Sequence, residues 1–157
     1  MTSNFNQIQT TMKKITSYLL LLICLSANAQ MTPVGVWHTI DDETKQPKGE
    51  IRIIDTNGVL SGTVVRSLKD DPKAKTVCDL CKDDRKDQKI IGMQILRNLT
   101  REGKESEYLW AGKGTILDPQ NGKTYDVKMV PIEGGKRLQV RGYIGPFYRT
   151  QFWERVE

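Results

Sequence analysis

The chain has 157 residues, of which 38% are hydrophobic, and its formal net charge is +5. This size fits one domain with one hydrophobic core. The 24 basic and 19 acidic residues alternate along the chain instead of forming a basic cluster, so the sequence argues against a nucleic-acid-binding protein.

The first 29 residues have the pattern of a secretory signal peptide. Lys13 and Lys14 precede an apolar run over residues 15–25, and Ala27-Asn28-Ala29 forms a small-x-small cleavage site. The apolar run is about half the ~20 residues that a bilayer requires, so we expect no stable membrane anchor. Met12 is an alternative start of the chain.

Cleavage after Ala29 would leave residues 30–157 as a single domain. Because the removed segment carries two lysines and no acidic residue, the formal net charge would fall from +5 to +3. We expect an exported bacterial protein, in the periplasm or outside the cell.

Cys78 and Cys81 are the cysteines that remain after cleavage. An even number of cysteines in an exported chain favours a disulfide. They lie in residues 69–89, a stretch in which 13 of 21 residues are charged. A redox-active pair and one half of a metal site are the alternatives, and both lack the accompanying residues that they need. We expect a disulfide that ties down a long charged loop, and no cofactor.

Alternation of polar and apolar residues predicts β-strands in the remaining chain. The strands are expected at residues 34–40, 50–53, 59–67, 90–96, 108–116, 125–129, 138–144 and 148–156, with turns such as Asn57-Gly58 between them. No segment of the mature chain predicts a helix. The economical arrangement is an all-β, eight-stranded antiparallel up-and-down barrel, because closure removes exposed strand edges. A five- or six-stranded sandwich is the alternative.

The fifth predicted strand is unusual because it contains two glycines. Tyr108, Trp110, Gly112, Gly114 and Ile116 are expected on one face, and the glycines predict strong curvature.

The two ends of the mature chain resemble the signature of the lipocalin-like (calycin) superfamily. Gly35-Val36-Trp37 opens the first strand, and the last strand carries Arg155, with Arg149 as the alternative. The resemblance implies that Trp37 packs across the closed end of the barrel and that the arginine lies over its ring. Gly35, Trp37 and Arg155 would then be structural.

Most of the mature chain is also similar to a family of small secreted bacterial proteins, the domain of unknown function family twenty-one forty-seven. The likeness is carried by Pro33 to Trp37 with Thr39 to Asp42, Cys78-Asp79-Leu80-Cys81, Ile90 to Met93, Ile116 to Pro119 with Gly122 to Tyr125, and Arg141 to Gly145 with Arg149 to Gln151 and Trp153. The family implies no particular activity.

Six polar or aromatic residues are candidates for ligand binding: Tyr108, Trp110, Tyr125, Arg141, Tyr143 and Arg149. Core packing competes as the role of the aromatic residues, and the alternation of the strand places Arg141 and Tyr143 on the face opposite the apolar residues. His38, the single histidine, follows Trp37 and should point outward. The sequence therefore shows no catalytic constellation.

Two functions follow from these observations. The first is non-covalent binding of a small apolar or amphipathic molecule in or at the mouth of the barrel. The alternative is a structural or protein-interaction module of the bacterial envelope, with an unidentified protein partner and a barrel filled by its own side chains. We do not expect an enzyme.

Overall fold

Antiparallel strands follow one another around a closed barrel in the order of the sequence. A computed structural model describes residues 31–72, 74–103 and 108–156 of the chain, so the predicted signal peptide lies outside the described residues. The strands are β1 (Gly35–Ile40), β2 (Pro47–Thr56), β3 (Val59–Ser67), β4 (Gln94–Arg101), β5 (Trp110–Asp118), β6 (Lys123–Ile132), β7 (Arg137–Ile144) and β8 (Phe147–Arg155). The described ranges contain no α-helix.

The predicted eight-stranded up-and-down barrel is confirmed. β1 pairs with β8 through Trp37 opposite Arg155 and His38 opposite Glu154, and this pairing closes the sheet. Closure leaves neither terminal strand with a free edge.

Several strand boundaries differ from the predicted ones, and those of β4 and β2 have clear structural reasons. The fourth strand begins at Gln94 and not at residue 90, because Ile90 to Met93 form a turn in which Gly92 has φ +88°. The apolar residues that suggested a strand there pack against the core from a loop instead. β2 begins at Pro47 and not at residue 50. A proline is tolerated there because the first residue of a strand needs no N–H for the ladder.

Bulges bend β4 and β5. Asn98 and Gly112 both have positive φ, and the pairing shifts between Arg97 and Leu99 and between Trp110 and Thr115. Trp110 and Ile116 still share the inner face, since they pair with Met129 and Tyr125, but Gly112 lies in the bulge. The shared face predicted for Tyr108, Trp110, Gly112, Gly114 and Ile116 is therefore wrong at Gly112.

One end of the barrel is closed by Trp37. Its ring is fully buried, and its Nε1 donates a hydrogen bond to the carbonyl of Pro33 at 2.7 Å. The Arg155 guanidinium lies 4.2 Å from the ring centroid and donates to the carbonyl oxygens of Thr32, Val34 and Gly135 at 2.6 to 2.8 Å. Burial lowers the pKa of Arg155 from its ordinary value, and the three carbonyl groups compensate for its lost hydration.

The half of the barrel nearest Trp37 is filled by side chains. The most deeply buried large residues are Trp37, Ile53, Leu60, Leu96, Leu99, Met129, Leu138 and Trp153. They come from seven of the eight strands, all except β5, so the core depends on complete closure of the barrel.

Replacing Trp37 with alanine should lower the free energy of unfolding by about 3 to 5 kcal/mol, as loss of a large buried aromatic side chain does. Ile54→Ala is the control, because Ile54 is 49% exposed on the same sheet, and it should cost less than about 1 kcal/mol. Equilibrium denaturant unfolding measures both values. Equal losses in the two variants would show that Trp37 does not close the core.

Candidate functional site at the barrel mouth

The end of the barrel opposite Trp37 is formed by the turns that follow β1, β3, β5 and β7, and we call it the mouth. Strand register decides which side chains face inward there. Directly paired residues of antiparallel strands project to the same face. Tyr125 pairs with Ile116, and Val127 pairs with Gly142, so all four project inward.

Gly142 places no side chain on the inner wall near the mouth, and we call this part of the wall the recess. A Cβ atom placed on Gly142 would lie 3.5 Å from Tyr125 Cβ and 3.9 Å from Ile116 Cγ2, which is ordinary van der Waals contact. Gly142, Tyr125 and Ile116 are each half-buried, whereas Val127 and Val140, deeper along β6 and β7, are buried. Solvent therefore reaches the inner face at this level of the barrel.

Trp153, Gln151 and Arg149 form an inward row on β8 that runs from the core to the rim. They pair with Leu138, Val140 and Gly142 of β7, respectively. We call these three residues the β8 row. It places a guanidinium opposite Gly142, with an amide and then an indole N–H at successively deeper positions of the inner wall, and all three groups are hydrogen-bond donors.

Asp42, in the turn after β1, faces the outer part of the β8 row. Its carboxylate accepts a hydrogen bond from Gln151 Nε2 at 3.2 Å and pairs with the Arg149 guanidinium. The anionic partner of the β8 row thus comes from the chain itself.

Asp41 holds this turn in place. Its carboxylate accepts hydrogen bonds from the backbone N–H groups of Glu43 and Thr44 and from Lys69 Nζ, the last at 2.6 Å. The Lys69 ammonium and these donors hold the pKa of Asp41 well below its ordinary value, and Asp41 raises the pKa of Lys69. The turn that carries Asp42 is therefore fixed to the segment after β3.

The long loop between β3 and β4 (residues 68–93, described except for residue 73) packs on the outside of the barrel wall. Asp84 forms a bidentate ion pair with Arg97 of β4, with N–O distances of 2.7 and 2.8 Å. Arg85, only 5% exposed, donates to Asp83, to the carbonyl of Gln94 and to Thr124 Oγ1 of β6. These contacts hold the loop against β4 and β6.

Cys78 and Cys81 are joined by a disulfide, and both are buried. They pack against the turn between β5 and β6, where Cys78 Sγ lies 3.6 Å from the carbonyl oxygen of Pro119. Gly122 in the same turn has φ +67°, and the carbonyl of Leu80 occupies the position that a Cβ would need. The disulfide therefore fixes the loop against a complementary turn.

The six predicted binding residues do not form one site. Tyr125 and Arg149 lie at the mouth, while Tyr108 and Trp110 lie toward the closed end, and Trp110 is only 8% exposed.

Arg141 and Tyr143 lie on the outer face of β7. The Arg141 guanidinium stacks over the Tyr148 ring at 4.6 Å and donates to Thr150, and Tyr143 packs against the same ring. Because these side chains stack on the outer face of the sheet, they do not contribute to the recess.

Sequence reasoning missed Gly142, Gln151, Trp153 and Asp42 as parts of the mouth. A signal was present for two of them, because period-two alternation along β8 places Gln151 and Trp153 on the same face as Arg149. The contribution of Asp42 depends on how the first turn folds over the rim, which strand alternation does not show.

His38 lies on the outer face beside Glu50. Its Nε2 is 3.5 Å from the Glu50 carboxylate, which instead binds Arg66 at 2.7 and 2.8 Å.

Among the described residues, no group of three or more histidine, cysteine, aspartate or glutamate side chains is placed to hold a metal ion. The same residues include no helix long and apolar enough to cross a membrane.

A second concavity, of about 600 Å³, lies outside the barrel over β3, β4 and β5. It is an open groove created beside the two bulges. Its lining residues are Val59, Asn98, Thr100, Glu102, Gly112 and Lys113, all of them exposed.

The sequence from residue 35 to residue 155 matches the model of the family described as "Uncharacterized protein conserved in bacteria (DUF2147)". The chain belongs to this family. The match spans the barrel from the start of β1 to the end of β8. A comparison with curated protein sequences finds no match.

The barrel is similar to the solved structure of protein HP1028 from Helicobacter pylori, which is described as belonging to the lipocalin family. The TM-score is 0.66 at 20% sequence identity, and the alignment covers 82% of this chain and 85% of the Helicobacter protein. The lipocalin-like fold of this DUF2147 protein is thus confirmed by the strand topology and by this likeness.

Acid should weaken attachment of the long loop. The cations of Lys75, Arg85 and Arg97 lower the pKa values of Asp79, Asp83 and Asp84, that of Asp83 to about 2. A lowered folded-state pKa contributes stability that is complete above the unfolded value of about 3.9 and is lost as pH falls through the folded value.

We therefore expect the melting temperature to fall between about pH 4 and pH 2. Asp83→Asn should reduce this dependence, since it removes one of the titrating groups. Thermal melts of both proteins across pH 2 to 7 measure the difference. An identical acid slope in the variant would contradict the assignment.

Proposed function

We propose that this DUF2147 protein is an exported, non-catalytic binding protein that holds one small apolar or amphipathic molecule at the mouth of its barrel. The observation that carries the proposal is the recess at Gly142, where the half-buried Tyr125 and Ile116 leave part of the inner wall accessible. Concave, partly apolar sites with a few polar groups are typical of small-molecule binding.

The filled core limits the size of the ligand. Trp153 and Val140 are buried immediately below the recess, and Trp37 and Arg155 seal the far end. An eight-stranded barrel has room for side chains or for one small ligand. A ligand would therefore occupy the outer half of the barrel.

Export is supported by two features. The sequence of residues 1–29 has the signal-peptide pattern described above, and the disulfide between Cys78 and Cys81 is of the kind that persists in oxidising compartments. Periplasmic and extracellular locations agree equally with both features.

The chemistry of the mouth supports binding in preference to catalysis. The side chains that face the recess are an aromatic ring, an aliphatic chain, an amide and a guanidinium, and the Asp42 carboxylate beside them is already paired with Gln151 and Arg149. His38, the single histidine of the sequence, lies outside the barrel, so the commonest general base is absent from the recess.

Native mass spectrometry of the protein purified from its own host tests the proposal. We expect a reproducible adduct of small mass that is lost on denaturation. Gly142→Leu should reduce the fraction of protein with the adduct at least ten-fold, because the new side chain fills the recess. Gly142→Ala is the matched control: its single methyl group makes only ordinary contacts, so it should retain most of the adduct.

Melting temperatures of both Gly142 variants verify that they fold. A wild-type protein that carries no adduct after mild purification would contradict the binding function. An adduct retained equally by Gly142→Leu would show that the ligand binds elsewhere.

The second candidate function is a protein-interaction module of the bacterial envelope. It is favoured by the tip of the β7–β8 hairpin, where Ile144, Phe147 and Tyr148 are 51%, 73% and 62% exposed. Exposed aromatic residues close together are enriched at protein interfaces.

Replacing Phe147 with the photo-crosslinking residue p-benzoylphenylalanine tests this module in cells of the host. We expect one discrete crosslinked product, and none from the same residue at position 54, where the replaced isoleucine is also exposed. Equal products at both positions, or none at position 147, would contradict a specific partner at the hairpin.

A further inference from the structure

The indole N–H of Trp153 is buried and has no hydrogen-bond partner among the described residues. Trp153 is 2% exposed, so bulk water does not satisfy this donor. Buried polar groups in folded proteins are nearly always paired. Trp37 follows that rule, since its Nε1 donates to Pro33.

Trp153 is also the innermost member of the β8 row. Gln151 and Arg149 follow it toward the rim on the same inward face, and Gly142 leaves open the wall position opposite Arg149. The β8 row thus has a hydrogen-bond donor without a partner at its inner end, the Trp153 N–H. A ligand with a hydrogen-bond acceptor suits such a row.

The carboxylate of Asp42 already occupies the outer part of this row. It is held by Gln151 and by Arg149, and it is 41% exposed. An exposed ion pair of this kind contributes little free energy, so a competing anion can replace it at small cost. The protein thus carries an internal carboxylate where an external one would bind.

We propose that the ligand is a monocarboxylate with an apolar body, bound through its carboxylate to the β8 row. The Trp153 N–H and the Gln151 amide donate hydrogen bonds to the ligand carboxylate. The Arg149 guanidinium releases the Asp42 carboxylate and pairs with that of the ligand. The apolar body contacts Tyr125 and Ile116 at the recess. This inference rests on the proposed binding function and specifies the class of ligand.

Three probes with the same eight-carbon chain separate the contribution of the head group from that of the apolar body. Octanoate, octanol and octylammonium are titrated into the ¹⁵N-labelled full-length gene product, purified from the envelope of an expressing bacterial host. The indole N–H signals of Trp37, Trp110 and Trp153 are followed by NMR, with Trp153→Phe used only for assignment. The Trp37 signal is the internal control, because its hydrogen bond to Pro33 lies at the closed end.

We expect octanoate to bind at least ten-fold more tightly than octanol or octylammonium. The Trp153 indole signal should move with saturation by octanoate, while the Trp37 signal stays in place. Asp42→Asn should tighten octanoate binding several-fold without changing octanol binding, because it removes the internal competitor. A variant with a damaged fold would bind octanoate more weakly, so tighter binding cannot be a result of misfolding. Arg149→Gln should abolish the preference for octanoate.

Equal affinity for the three probes with an unmoved Trp153 signal would overturn the carboxylate inference and leave the proposed binding function standing. A natural adduct without a carboxylate, or failure of all three probes with a protein that carries an adduct, would do the same. Failure of all three probes together with the absence of any adduct would overturn the binding function itself.

Discussion

The stacking of Arg155 on Trp37 joins the two ends of the chain, and the remainder of the structure depends on it. The guanidinium contacts the ring at 4.2 Å and satisfies three carbonyl groups from two separate segments. A cation–π contact of this kind contributes about 0.5 to 2 kcal/mol, and the contact also excludes water from the core beneath it. Because Trp37 and Arg155 are themselves a β1–β8 pair, the same contact closes the sheet.

Because the Trp37 end of the barrel is sealed, the mouth is the end at which the inner wall is accessible. With Trp37, Met129 and Leu138 filling the lower half, the accessible inner wall is confined to the mouth. The loop clipped by Cys78 and Cys81 packs against the outer wall, where Arg85 and Asp84 bind β6 and β4. The mouth therefore combines a rigid wall with a rim turn that is held by an exposed ion pair.

Strand number, order and closure could be predicted because they depend on local signals. Asn57-Gly58 is a turn between β2 and β3, and period-two alternation marks β6 and β7 clearly. The start of β4 could not be read in this way, since Ile90 and Met93 are apolar for a different reason: they pack on the core from a turn.

The positions of the candidate binding residues in the barrel were harder to predict than the fold. Aromatic type suggested Tyr108 and Trp110, but their depth in the barrel depends on the bulge at Gly112, which shifts the register of β5. The accessible point of the wall is a glycine, and a missing side chain gives no chemical signal in the sequence. Likewise, the unpaired N–H of Trp153 is a property of the packed interior, and the residue type alone does not reveal it.

Pairing of the first strand with the last has a consequence for the order in which the protein is made. β1 is made before the other seven strands, and its partner β8 is the last of the eight to be made. Contacts between such distant segments form slowly, because a long stretch of chain must be ordered to bring them together. Until β8 has been made, β1 and the newest strand both present open edges, which are the features that lead β-proteins to aggregate. A nascent chain of this family thus has no sealed core at any intermediate length, and its need for protection lasts until the final strand is available.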